Sequence, residues 1–376
     1  MKQYKIAFLT ENPINTLGGV ERFTLSLKCY FEKNGFVVKV YDKSIMPKEP
    51  KRNWFNSYFS TITDNYNLGN EISKRMKEDQ IDFIIQNGLS AWSICRRRRI
   101  PRMVIHHGTW REVSKHLSKG SKNIKKTLAN KVLIYYINGW FEWFTSKNAI
   151  SIGVSSSVKN ELKSLYYNLD AIAIQNGIDT ELFKKLDAKI CKKKYGLKEE
   201  DFIISFTGRL EYRKGNDILA QLSHKAYKED PSIKFLFATD QKTNDFADNV
   251  IFLEHVNYEE MPYVYCASDL FIMPTRYEGC SYSIIEAMSC NTPILISSVG
   301  HGSDISRFGA LKNVVLDEIN CDVYWEKIIE LKNNKGQLKE IGDDAKKYVD
   351  ANNTLEIFGK AYLDLIKKNI LKGRLK

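Results

Sequence analysis

Between Asp269 and Ser297 the chain passes from a short apolar stretch, DLFIMP, through a polar loop and a helix-like pattern into a second apolar stretch, ILIS at Ile294 to Ser297. Short apolar runs on either side of a helical period predict a strand, loop, helix, strand unit. In such a unit the loop and first helical turn sit at the carboxyl end of a parallel sheet, where open α/β folds bind ligands. The segment here reads RYEGCSYSIIEAMSCNTP and holds two carboxylates eight residues apart, Glu278 and Glu286. Free N–H groups near Ser281, Tyr282 and Ser283 suit an anionic phosphate. Carboxylates accept hydrogen bonds only, so one on each side of that phosphate suits hydroxyl groups. Ser283 to Glu286 also fits the S-x-x-E capping box, in which the Glu bonds the cap residue's own N–H. Spacing alone therefore leaves Glu286 open between helix cap and ligand.

The same alternation recurs along the chain. Tyr4 to Leu9 reads as a strand, Gly18 and Gly19 as a turn, Val20 to Asn34 as a helix ended by Gly35, and Phe36 to Tyr41 as a second strand. Asp82 to Gln86, Pro101 to Ile105, Ala149 to Val154 and Ala171 to Gln175 continue the pattern, with Ser155 to Ser157 as a helix cap. Asn176-Gly177-Ile178-Asp179 breaks it. Strands resume at Asp201 to Phe206, Ile233 to Ala238 and Val250 to Leu253, and residues 320–370 carry helical patterns rich in Lys and Glu. Residues 43–65, with Pro47, Pro50 and Trp54, have no clear period and read as a variable insertion. Ser303-Asp304 reads as a further helix cap. The predicted class is α/β, built as two Rossmann-like domains, because 376 residues exceed what a single core commonly organises.

Several loop residues invite a ligand reading beside a bland one. Gly19 lets backbone approach a ligand, although glycine pairs mostly make turns. Without a G-x-G-x-x-G, a nicotinamide dinucleotide is not indicated. His107 follows a strand end, where histidines are commonly structural. Arg209 and Lys214 follow the strand at Asp201 to Phe206, where two cations can straddle a diphosphate or simply face solvent.

Charge is concentrated in one region. Residues 96–147 hold thirteen Lys or Arg against Glu112 and Glu142, a local +11 out of a net +12. A lysine-rich stretch from Lys115 to Lys131 leads into VLIYYINGWFEWF, Val132 to Phe144. That is too short to span a bilayer but suits lying in an anionic membrane surface, with Tyr135, Tyr136, Trp140 and Trp143 at headgroup depth. The competing reading is a solvated lysine face followed by a core helix. Nucleic acid ranks lower as a partner, since no recognised nucleic-acid module accompanies the charge. Seven cysteines without C-x-x-C pairs, no secretory-type leader and no long apolar run place the chain in the cytoplasm, as a peripheral protein on the inner membrane face if the basic segment docks there.

Five segments in order, GGVERF, HHG at His106 to Gly108, QNGID, GRLEYRKG and EGCSYSIIEAM, resemble the family 4 glycosyltransferases, whose EX7E region has the form E-G-x-x-x-x-x-x-E-A-M-x-x-G-x-P. Asn291 stands where that family usually has Gly, and Gln175 where it has Pro. Asn is the next best residue at a left-handed helix end. The resemblance implies a GT-B fold with domains over 1–176 and 177–352 facing across a cleft, and a last helix, 353–376, returning to the first domain. It implies a retaining enzyme that moves a sugar from a nucleotide-sugar donor to an acceptor, and the basic aromatic segment adds the expectation of a glycan or lipid-linked acceptor in cell-envelope polysaccharide assembly of the capsule, lipopolysaccharide or teichoic kind. By the same resemblance Arg209 and Lys214 neutralise the donor diphosphate, Glu286 binds the ribose and Glu278 the transferred sugar. Backbone from Gly279 through Cys280 and Ser281 to Ser283, and at Gly19, approaches the donor, and His107 lines the acceptor side. No D-x-D motif is present, so neither a metal nor another cofactor is expected. The rival functions are a GT-B sugar-nucleotide epimerase, which uses no acceptor, and a non-catalytic basic membrane-binding module.

Overall fold

A computed structural model describes residues 3–16, 18–46, 60–96, 100–116, 131–241 and 243–373. Ile178–Thr354, with His116, forms one compact unit, and Leu355 onward joins the other described residues before Ile178 in the other.

In the first unit β1 (Lys5–Leu9), β2 (Val37–Tyr41), β3 (Phe83–Asn87), β4 (Arg102–His106), β5 (Ile150–Gly153) and β6 (Ala171–Ala173) form one sheet in the order β2-β1-β3-β4-β5-β6. Every pairing is parallel. Such a sheet is covered on both faces, which is why its strands are continuous apolar runs instead of alternating ones; Ile6 to Leu9 are completely buried. Helix Gly19–Lys33 turns Phe23, Leu27 and Phe31 inward but leaves Leu25 exposed. Helix Leu355–Gly373 packs on it, with Phe358 and Tyr362 edge-on to Phe23 and the Tyr30 hydroxyl donating to Glu356 Oε1 at 3.0 Å.

The second unit holds β7 (Phe202–Thr207), β8 (Ile233–Ala238), β9 (Val250–Leu253), β10 (Leu270–Met273), β11 (Ile294–Ser297) and β12 (Val315–Leu316), in the order β12-β11-β10-β7-β8-β9, again all parallel. Counted from β7, this is the 3-2-1-4-5-6 order of a dinucleotide-type sheet. The order reverses between β7 and β10, so the crevice beyond their carboxyl ends is where such a fold takes a ligand.

Two readings of local structure need correction. Helix Ser60–Asp79 begins inside the stretch expected to be an insertion, burying Leu68, Ile72 and Met76 at four-residue spacing; residues 47–59, including Pro47, Pro50 and Trp54, lie outside the described residues. Ser303 and Asp304 lie within the short helix Gly302–Ile305, whose cap position is His301, so neither is its cap. Asn291 does take the left-handed conformation, φ 63°, just past the end of helix Tyr282–Ser289.

Candidate functional site

Two loops emerge side by side at the switch point of the second sheet. The first leaves β7 at Thr207, passes Gly208 and Arg209, and makes a single 3-10 turn over Tyr212–Lys214 before helix Asn216–Glu229. The second leaves β10 at Met273 and reaches helix Tyr282–Ser289 through Glu278 and Gly279. They are sewn together through backbone. The Arg213 carbonyl accepts from the Arg276 N–H at 2.7 Å and from the Thr275 hydroxyl at 3.0 Å. Gly215, at φ 78°, lies so close to Pro274 that a Cβ there would collide with the proline carbonyl, so only glycine fits. Gly300 is similarly pressed on the Glu278 carbonyl, and the His301 N–H donates to the Gly279 carbonyl at 2.8 Å.

This sewing brings cations onto Glu278. Its carboxylate contacts Lys214 Nζ and lies 3.2 Å from Arg213 Nη1, which also donates to the Tyr277 carbonyl at 2.8 Å. Glu211 links Arg213, at 3.7 Å, to Arg209, at 2.8 Å. A ladder Arg209, Glu211, Arg213, Glu278, Lys214 therefore runs along the mouth of the switch point with three cations against two carboxylates. Lys214 and Glu278 are largely buried, 14% and 13% exposed, whereas Arg209 is 68% exposed. Lys214, Glu278 and Arg209 thus belong to one network. Arg213, to which the sequence assigned no role, sits at its centre; no local pattern marks it, because its partner lies 65 residues further on.

Glu286 stands apart from that ladder. It is 1% exposed, and its Oε2 accepts from the Tyr265 hydroxyl at 2.7 Å, which in turn lies 3.2 Å from Thr207 Oγ1 at the end of β7. The capping-box alternative fails. Ser281, not Ser283, is the cap residue; it makes no side-chain cap bond, and its Oγ points to Met273 Sδ at 3.6 Å. Gly279, Cys280, Ser281 and Tyr282 are buried, and Ser283 is half-buried.

In the first unit Gly19 is exposed at the start of its helix, after an extended Gly18 that offers no side-chain cap. His107 follows β4, with Nε2 2.9 Å from Asn87 Oδ1 and its ring edge-on to Phe23. Burial, with His106 beside it, holds its pKa down to about 3. The ring is neutral at pH 7 and a poor proton acceptor, which fits lining a site better than general base work. Among the described residues no group of three or more His, Cys, Asp or Glu is placed to hold a metal ion, and no helix is long and apolar enough to cross a membrane.

Comparisons with known proteins cover nearly the whole chain. A model described as "Glycosyltransferase Family 4" matches residues 17–182, and one described as "Glycosyl transferases group 1" matches residues 187–348. A GDP-mannose-dependent monoacylated alpha-(1-6)-phosphatidylinositol monomannoside mannosyltransferase of Corynebacterium glutamicum is 23% identical over 52% of this chain and 55% of its own length. The chain thus spans about half the length of the curated relatives it matches first. Among solved structures, a sucrose-phosphate synthase from Thermosynechococcus elongatus superposes with a TM-score of 0.80 at 16% identity, covering 98% of this chain and 100% of that one. Anabaena HepE, solved in complex with UDP and glucose, gives 0.70 at 16% identity, covering 97% and 100%. At these identities the superpositions establish the fold, two parallel-sheet units of GT-B type.

Proposed function

This chain belongs to the family 4 glycosyltransferases, and from that premise we propose that it moves a sugar, with retained anomeric configuration, from a nucleoside-diphosphate sugar to a glycan or lipid-linked acceptor in cell-envelope polysaccharide assembly. The observation that carries the donor half of this reading is the Arg209 to Lys214 ladder at the switch point of the second sheet. Three cations meet only two carboxylates there, which leaves an uncompensated positive charge where a diphosphate would lie. In this reading Lys214 and the exposed Arg209 take the diphosphate as it departs. Stabilising that leaving charge is the main catalytic contribution, on the order of a few kcal/mol per well-placed donor. Glu278, once a donor's phosphates occupy Lys214, turns its carboxylate to the hydroxyls of the transferred sugar. Glu286 meets the ribose by exchanging its bond from Tyr265, and the backbone at Gly279 to Ser283 and at Gly19 approaches the donor. His107, as a neutral ring, lines the acceptor side. UDP is a reasonable first nucleotide to try, since it is bound in the structurally similar Anabaena protein. The acceptor is held at the cytoplasmic face of a membrane, with the enzyme working as a peripheral protein.

The test is a turnover assay over a panel of UDP-, GDP- and ADP-sugars with chelator present throughout. The expected outcome is release of one nucleoside diphosphate that chelator does not diminish, because the ladder supplies positive charge from side chains. Glu278→Gln is expected to lower that release at least a hundredfold while circular dichroism at the assay temperature shows the fold retained. Strict dependence on added Mg²⁺ or Mn²⁺, or full activity in Glu278→Gln, contradicts the assignment.

A further inference from the structure

The helical segment after Lys131 has two apolar faces: Ile137, Phe141 and Phe144 pack inward against Ile62, Leu89 and Trp92, and a second set of rings faces outward. A surface helix ordinarily turns its apolar stripe to the core and its polar face to water. Here the buried positions are Asn138, Gly139, Glu142, Thr145 and Ser146, while Val132, Tyr136 and Trp140, spaced four apart, are 51%, 64% and 44% exposed. The inward polar side chains of Glu142, Thr145 and Ser146 are hydrogen-bonded. Glu142 accepts from the Trp110 N–H at 2.9 Å and the Tyr166 hydroxyl at 2.5 Å, and lies 3.1 Å from His106 Nδ1. Ser146 Oγ meets His106 Nε2 at 3.1 Å, and Arg102 donates to the Thr145 carbonyl at 2.7 Å. Rotating the helix to bury its outward rings would strip these partners from a buried carboxylate, so that aromatic face is locked outward.

That face extends beyond one helix. Tyr167, 70% exposed, stacks edge-on against Trp143. Of nine large hydrophobic side chains exposed among the described residues, four lie in this patch, a concentration that marks an interaction surface rather than scattered exposure. Cations frame it: Lys147 sits over the Trp143 ring at 5.3 Å, and Arg111 over Tyr135 and Tyr167 at 5.4 and 5.6 Å. The sequence from 96 to 147 carries a net +11, of which residues 97–99 and 117–130 lie outside the described residues. Exposed Trp and Tyr flanked by Lys and Arg match the chemistry of the bilayer interface, where amphipathic rings settle at headgroup level and basic groups meet anionic lipid. A second copy of this chain would bring the same positive charge onto itself, and an apolar protein groove gives the cations no counter-charge.

We propose that Val132, Tyr136, Trp140 and Tyr167, with Arg111 and Lys147, form the face by which this protein docks on an anionic lipid surface. This refines the reading of a membrane-held acceptor by naming the contact residues, and it is tested without reference to turnover. Purified full-length protein is sedimented with vesicles of phosphatidylglycerol in phosphatidylcholine and with vesicles of phosphatidylcholine alone, for the wild type and the double variant Tyr136→Ser/Trp140→Ser. The expected result is binding to the anionic vesicles that weakens with salt, and roughly tenfold weaker binding in the double variant. Its circular dichroism and any nucleoside-diphosphate thermal shift should match wild type. Should the double variant misfold, quenching of tryptophan emission by brominated lipid chains in the wild type, reduced in Trp140→Phe, replaces it. Equal binding by the double variant, absence of wild-type binding, or a wild-type dimer in sedimentation velocity that the double variant loses, would each overturn the proposal. None of these outcomes bears on donor binding, which fails or stands separately.

Discussion

Glu286 shows how much one carboxylate's surroundings decide. Its spacing from Ser283 fits a helix cap, yet the side chain reaches Tyr265 on a neighbouring helix instead, because the helix starts earlier, at Tyr282. Glu286→Gln keeps an acceptor for the Tyr265 hydroxyl, so the expected stability loss is about 1 kcal/mol, the net worth of one altered hydrogen bond. Turnover, in contrast, should fall well beyond what that loss explains; urea denaturation beside a turnover assay separates the two, and parallel small losses in both would leave Glu286 a packing residue. His301 gives a second residue-level expectation. Burial holds its pKa down to about 4, against an ordinary value near 6.5. As pH falls below about 6.5 the unfolded chain takes up a proton that the native ring refuses, so this residue makes stability decline with acid, by up to about 1.4 kcal/mol per pH unit, until about pH 4. His107 acts in the same direction down to about pH 3. The difference in unfolding free energy between wild type and His301→Gln should therefore shift over that window, and a pH-independent difference would show that the native ring titrates as it does in the unfolded chain.

Among the elements, the two loops at the switch point depend on a clamp that neither strand pattern announces. Arg276 donates from both Nη atoms to Asp217, at 2.7 Å each, on the first turn of helix Asn216–Glu229, and to the Tyr212 carbonyl. Its guanidinium also lies 3.9 Å from the centre of the Tyr212 ring. Arg276 touches no donor in the proposed mechanism; it holds the turn that carries Arg213 and Lys214 against the loop that carries Glu278. Lys cannot reproduce a bidentate, stacked contact. Arg276→Lys should raise the KM for donor about tenfold while an acceptor's KM stays unchanged, a split that general destabilisation does not produce. The Arg209, Lys214, Glu278 and Glu286 positions were legible because each lies in a short motif beside a strand end. Arg213 and Arg276 were not, since their partners are set by which strands neighbour one another. The segment from Val132 to Phe144 left two readings open, an outward aromatic face and a core helix, because its period shows the rings but only pairings such as Glu142 with His106 settle which of them turn outward.

For the whole molecule, the alternation of apolar runs and helical periods was sufficient to foresee two parallel-sheet units. The reason is physical: strands covered on both faces must be apolar throughout and so stand out. Helix Ser60–Asp79 escaped because its polar first half masks the Leu68, Ile72, Met76 stripe, and β12 because two residues carry no period. Strand order was beyond reach of periodicity, yet it is the order that sets the loops after β7 and β10 side by side and joins Arg209, Lys214 and Glu278 in one network, with Glu286 apart against Tyr265. The most direct measurement of that claim is calorimetric titration of the full chain with UDP, GDP and ADP, for wild type and Lys214→Met. One nucleotide should bind to the wild type, and its affinity should fall at least tenfold in the variant while circular dichroism shows that the variant remains folded at the titration temperature. Binding of none of the three, or equal affinity in Lys214→Met, would contradict a donor site built on the Arg209 to Lys214 ladder.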